Sequence, residues 1–162
     1  MSLRERIQAD LAAAVRSGDS RRRDVLRMAW NGIYNLEKRE RHELDDDDVV
    51  AALVREVKTR RESEEAFLAG GRPDLAEPEA AAIAILEEYL PTPLGEDDLR
   101  ALVDEAVAAT GASSVRDLGR VMGWLAPHTR GRADGRHVSE LVAQRLAQLD
   151  VAGHDGGHGA GA

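Results

Sequence analysis

Pro91 and Pro93 stand within three residues of each other in a chain whose apolar residues otherwise recur at helical spacing. Proline has no N–H to give to a helix and biases the residue before it toward extended backbone, so Pro91-Thr92-Pro93 ends one helical run before another begins. The break predicts two helical lobes, residues 1–91 and 94–149, each with its own small core.

Before the break the pattern reads as four helices. Ser2 and Glu5 have the S-x-x-E spacing of a capping box, and Leu3, Ile7, Leu11 and Val15 follow on one face until Gly18. A second stripe, Leu26, Ala29, Trp30, Ile33 and Leu36, runs to about Glu43. The acidic run Asp45 to Asp48 suits the cap and first turn of a third helix, because a helix N-terminus favours negative charge. Consecutive carboxylates cannot all converge on one cation, so this run is not read as a metal loop. Val49, Val50, Leu53, Val54 and Val57 give the third helix its apolar face up to Gly70 and Gly71. A fourth, from about Asp74 to Tyr89, is expected to bury Leu75, Ile83, Leu86 and Leu90.

After the break, Leu99, Leu102, Val103, Ala106 and Val107 mark a fifth helix closed by Gly111. Ser114 and Asp117 open a sixth that reaches Pro127, and Val138, Leu141, Val142, Leu146 and Leu149 line a seventh. No segment sustains the alternation of a strand. Aromatic residues are only 3% of the chain, and strands draw on aromatic and β-branched side chains. The fold class is therefore all-α, with a four-helix lobe followed by a smaller three-helix lobe. Residues 150–162 are glycine-rich and are expected to form a disordered tail. Its His154, Asp155 and His158 lack the fixed surroundings that orient true metal ligands.

Several chemistries are excluded or unsupported. Without cysteine there is no disulfide, thiolate metal site or cysteine nucleophile. No P-loop, dinucleotide-binding glycine motif, nucleophile elbow or H-E-x-x-H pair occurs. The reading is a chain with no catalytic residue, metal or cofactor of its own. The charged residues near Met1 do not make a secretory signal, and nowhere do 18 apolar residues run together, so a cytoplasmic location without membrane insertion is expected.

Net charge is −8, but it is unevenly spread. Residues 20–41 carry seven basic side chains against three acids, and residues 114–149 six arginines against three. The basic first turn of the second helix, Arg21 to Arg23, opposes the helix dipole. It is read either as solvated arginines or as an anion site. On the third helix Lys58 and Arg61 lie three apart, with Glu62 and Glu65 as i,i+4 partners. The loop from Thr129 to Arg136 holds Arg130, Arg132 and Arg136 with Gly131 and Gly135. Such a loop suits either an interhelical turn or a phosphate contact that uses backbone amides. Gly119 and Gly123, four apart, suggest close helix packing. Trp124 is the single aromatic of its lobe, which makes base-specific stacking unpromising. His128 and His137 flank the loop as polar surface residues.

In their order, several short stretches resemble the GatB/YqeY-like family. They are Val25-Leu26-Arg27-Met28, Arg55-Glu56-Val57-Lys58 with Arg60-Arg61, Ile85 to Pro91, Thr110 to Ser114, Asp117 to Gly123, and Gly131 to Gly135. The resemblance covers residues 1–149. It implies a second lobe shaped like the tail domain of the B subunit of the glutamine-dependent tRNA amidotransferase, a domain that contacts tRNA. It also implies that any carbon–nitrogen ligase activity belongs to the relative, whose glutaminase and transamidation sites lie in other parts. Carried over residue by residue, Arg120, Arg130, Gly131, Arg132, Asp134 and Gly135 become RNA-facing candidates, and Arg136, Lys58 and Arg61 join them from their own basic surroundings. Gly95 stands where the family often has a serine cap, a change worth a few tenths of a kcal/mol. The expected role is an accessory tRNA-binding adaptor beside an amidotransferase or an aminoacyl-tRNA synthetase. The alternative is a helical protein–protein interaction module with no nucleic-acid role.

Overall fold

A computed structural model describes residues 1–155, and among them every regular element is helical. The chain forms two compact units, Met1–Pro91 and Thr92–Ala162. No helix among the described residues is long and apolar enough to cross a membrane.

The first unit contains α1 (Leu3–Ser17), α2 (Ser20–Glu40), α3 (Asp46–Ala69) and α4 (Pro73–Glu87). Ser2 and Glu5 complete the capping box of α1, and Gly18 closes that helix in the left-handed region at φ 75°. The Asp45 side chain accepts from the Asp48 N–H at 2.9 Å, while Asp46 accepts from the Leu3 N–H at 2.9 Å. One acidic run thus serves the N-termini of both α3 and α1, where free amides and the helix dipole favour a carboxylate.

The turn between α3 and α4 depends on Gly71 at φ 70°, and the Arg72 N–H closes it onto the Phe67 carbonyl at 2.8 Å. Ile7, Leu26, Ile33, Val49, Leu53 and Leu86 form a core that is at most 1% exposed. Removing such side chains from water supplies about 1.5–3 kcal/mol each. Leu75, expected in the core, is 39% exposed, and Val15 is 52% exposed. Ala76 and Ala14, one position away, are buried in their place, while Ile7, Ile83 and Leu86 hold the core positions expected of them. α2 ends at Glu40 rather than near Glu43, because Arg41 turns into the left-handed region at φ 61° to bring Leu44 back into the core.

The basic first turn of α2 is a set of solvent-facing ion pairs rather than an open anion site. Arg21 pairs with Glu77 at 2.7 Å, Arg22 with Glu88 at 2.8 Å, and Arg23 with Asp24 at 2.8 Å. The first two partners lie on or just beyond α4, so these arginines join helices distant in sequence.

The second unit contains α5 (Glu96–Thr110), a 3-10 turn (Val115–Asp117), α6 (Leu118–Thr129) and α7 (Gly135–Asp155). Its core gathers Leu99, Val103, Ala106, Val121, Leu125, Val138, Val142 and Leu146. Ser114 and Asp117 do form a capping box, but it caps the 3-10 turn and α6 follows directly. α6 passes through Pro127 to Thr129, since a proline in a last turn removes one helical bond without blocking the turn. α7 continues through residues 150–155, which by composition belong to the tail. Val151 and Ala152 continue the helix, and a single Gly153 costs it only about 1 kcal/mol. Residues 156–162 lie outside the described residues, as do the side chains of His154 and Asp155.

Candidate nucleic-acid interface

The loop between α6 and α7 is built around Thr129. This residue is buried at 8% exposure, and its hydroxyl donates to the Leu125 carbonyl at 3.2 Å. Its own carbonyl accepts from the N–H groups of Arg132 at 2.9 Å and Ala133 at 3.1 Å. Gly131 adopts φ 71°, a conformation that a side chain would strain, and this lets the chain double back. The Arg132 carbonyl accepts from the Leu94 N–H at 2.9 Å, and its Nε donates to the Thr92 carbonyl at 2.9 Å. Arg132 therefore works as a strut that ties the loop to residues 92–94.

This geometry changes the expected phosphate cradle. Two of the loop amides, on Arg132 and Ala133, are already committed to Thr129. Asp134 precedes α7, and its carbonyl accepts the Val138 N–H at 3.0 Å. An exposed carboxylate at this point places negative charge where a phosphate would seek the helix end. Gly135 is an ordinary helical residue with open space around it. What the loop offers an anion is therefore its exposed Arg130 and Arg136 side chains. The Arg136 side chain has no hydrogen bond or ion pair among the described residues.

Arg120 lies on the solvent side of α6. Its guanidinium donates to Asp117 Oδ1 at 2.8 Å and to the Thr110 carbonyl at 3.1 Å, with 59% of the side chain exposed. Asp117 is held below the usual carboxylate range, first by the Ser113 N–H, then by Arg120 and the Ser114 N–H. Arg120 is thus oriented by its neighbours and still open to solvent.

Gly119 and Gly123 are not packing glycines. Both are exposed, and a Cβ added at either would meet nothing within 4 Å. Their four-residue spacing puts them on one face of α6, a bare strip of main chain beside Arg120. Pro127, four residues on, has no N–H to give the Gly123 carbonyl. Trp124 stacks on His128 with ring centroids 4.6 Å apart, and His137 Nε2 lies 2.7 Å from Glu96 Oε2. The histidines of this region are engaged in local contacts.

Lys58 and Arg61 belong to the first unit. Arg61 reaches across to Glu87 on α4 instead of pairing with Glu65 along its own helix. Lys58 is exposed without an ion pair to Glu62 or any other described residue. The neighbouring Arg60, which sequence spacing does not single out, is the more buried cation and bridges Glu56 and Glu79 at 3.2 Å each. Among the described residues, no group of three or more histidines and carboxylates is placed to hold a metal ion.

The model of the YqeY-like protein family matches residues 4–146. The chain belongs to this family. It is also similar to the altered inheritance of mitochondria protein 41, mitochondrial, of Pyrenophora tritici-repentis, at 30% identity over 143 residues, covering 86% of this chain and 78% of that protein. A shorter similarity, 34% identity over 76 residues, links it to the E subunit of the glutamyl-tRNA(Gln) amidotransferase of Thermococcus gammatolerans. That match covers 44% of this YqeY-like chain and 12% of the amidotransferase polypeptide, so it concerns one portion of a much longer protein. The relation to the amidotransferase is carried here by its E subunit, where the resemblance of short stretches points to the B subunit.

Proposed function

We propose that this YqeY-like protein is an accessory tRNA-binding adaptor that works in the cytoplasm beside an amidotransferase or an aminoacyl-tRNA synthetase, with no catalytic step of its own. The observation that carries this reading is the exposed face of α6. Gly119 and Gly123 each cost the helix about 1 kcal/mol relative to alanine, and no packing contact among the described residues requires either. A bare main chain flanked by Arg120 suits the close approach of a sugar–phosphate backbone. A ribose 2′-hydroxyl would donate to the Gly123 carbonyl, which Pro127 has no N–H to serve. Arg130 and Arg136 add phosphate contacts from the adjoining loop, which position an RNA without reading its bases. The similarity to a portion of an amidotransferase polypeptide supports the same reading.

With a net charge of −8, the protein should bind RNA weakly and with strong dependence on salt. A titration of tRNA against wild-type protein and a Gly119→Leu/Gly123→Leu variant tests the proposal. The variant should melt no lower than wild type, because both positions open onto solvent, and should lose most of its tRNA affinity. Undiminished affinity in a folded variant would refute the role of this face.

A further inference from the structure

We infer that a groove between α2 and α3 of the first unit is the docking site for an acidic, aliphatic segment of a partner protein. The groove encloses about 310 Å³, within the lower range of ligand sites. Its accessible aliphatic surface comes from half-buried Leu36 and Ala52 over the buried Ile33 and Leu53, and its border includes Arg39 and Arg55. Met28, 62% exposed, adds apolar surface on α2 toward the Arg60 end of α3, where Arg60 Nη2 lies 3.8 Å from its sulfur.

Two observations on this surface point to an occupant. Gly32 sits in the interior of the 21-residue α2, and a Cβ there would meet nothing within 4 Å. A glycine in a helix interior costs stability, and no neighbour among the described residues demands one at this position. It leaves the middle of the groove open.

The charge is also uncompensated. The acid lining the groove, Glu56, is turned to Arg60, which holds Glu79 as well. Arg39 has only Glu40 at 3.8 Å, with 75% of its side chain exposed, and such a pair contributes little in water. The Arg55 side chain has no hydrogen bond or ion pair among the described residues. Two guanidinium groups beside an aliphatic base match a segment that inserts a leucine or isoleucine side chain and sets aspartate or glutamate against the arginines. A nucleic acid is the poorer match. Phosphates would use the arginines and leave the half-buried aliphatic surface of Leu36 and Ala52 without a partner, while a base would want an aromatic face to stack on.

This inference is independent of the tRNA reading, which rests on the second unit. The test is selection of a displayed random-peptide library on the immobilised full chain, followed by affinity measurement with the enriched peptides as labelled probes. Enriched sequences should combine aliphatic residues with aspartate or glutamate. Their affinity should fall about tenfold or more in Gly32→Leu, which fills the groove, and in Arg39→Glu/Arg55→Glu, which reverses its charge. Thermal melting and circular dichroism of both variants establish that they are folded. Failure to enrich any sequence, enrichment of basic or uncharged sequences, or unchanged affinity in both folded variants would overturn the proposal. So would loss of tRNA binding, in place of peptide binding, from Arg39→Glu/Arg55→Glu.

Discussion

The Tyr89 hydroxyl donates to Asp10 Oδ2 at 2.5 Å, joining the residue just beyond α4 to the middle of α1. Arg22 Nη2 donates to the same phenolic oxygen at 3.3 Å, and the Arg6 guanidinium lies 4.7 Å from the ring centroid. Tyr89 is 3% exposed, so this cluster closes the first unit directly before Pro91. Tyr89→Phe should lower stability by about 1–2 kcal/mol, since Asp10 and Arg22 lose a partner while the ring remains. Urea denaturation at neutral pH measures it.

The same residue sets an alkaline limit. Burial, reinforced by Asp10, pushes the Tyr89 hydroxyl up to about 12. An unfolded tyrosine ionises near pH 10, so its stabilising contribution is complete below about pH 10 and is lost as pH rises toward 12. Melting temperature followed across this range should fall more steeply for wild type than for Tyr89→Phe.

Glu37 governs the acid side of the first unit. Its carboxylate accepts from Arg4 at 2.6 and 3.2 Å and from the Leu44 N–H at 3.1 Å, with only 11% of the side chain exposed. The Arg4 hydrogen bond is the first cause holding it below the usual carboxylate range. Its contribution is present above about pH 4 and is lost as pH falls through the lowered value. Glu37→Gln should cost roughly 1.5–3 kcal/mol at neutral pH and flatten the acid limb of the stability profile.

Arg41 should be replaceable with a gain. It ends α2 at φ 61° and is exposed. L-residues pay roughly 1 kcal/mol for that conformation where glycine does not. Arg41→Gly is expected to raise stability by about 0.5–1 kcal/mol, read from the shift of a denaturant midpoint at unchanged slope.

Local chemistry is legible in the sequence wherever partners are neighbours. The Ser2–Glu5 box, the Gly18 stop, the Asp45 cap and the all-helical class all follow from spacing and turn residues. Partners far apart are not legible. Arg22 meets Glu88 66 positions away, and Arg61 prefers Glu87 to Glu65 because α4 packs along α3. A glycine pair at i,i+4 has one appearance in sequence whether a neighbouring helix covers it or solvent does. Gly119 and Gly123 accordingly suggest packing in the sequence, and only the open space above them shows otherwise. Committed loop amides are hidden for a similar reason: nothing in Thr129-Arg130-Gly131-Arg132 declares that one carbonyl takes two of them.

Whether the second unit engages RNA is decided most directly by the salt dependence of tRNA binding, compared between the full chain and Arg130→Ala/Arg136→Ala, which spares the Arg132 strut. Phosphate contacts from these arginines predict weak binding at low salt, with log K falling by about 0.7–0.9 per phosphate contact for each decade of salt, and a smaller slope in the variant. Absence of binding at low salt, or an equal slope in the two proteins, would contradict an RNA-binding role.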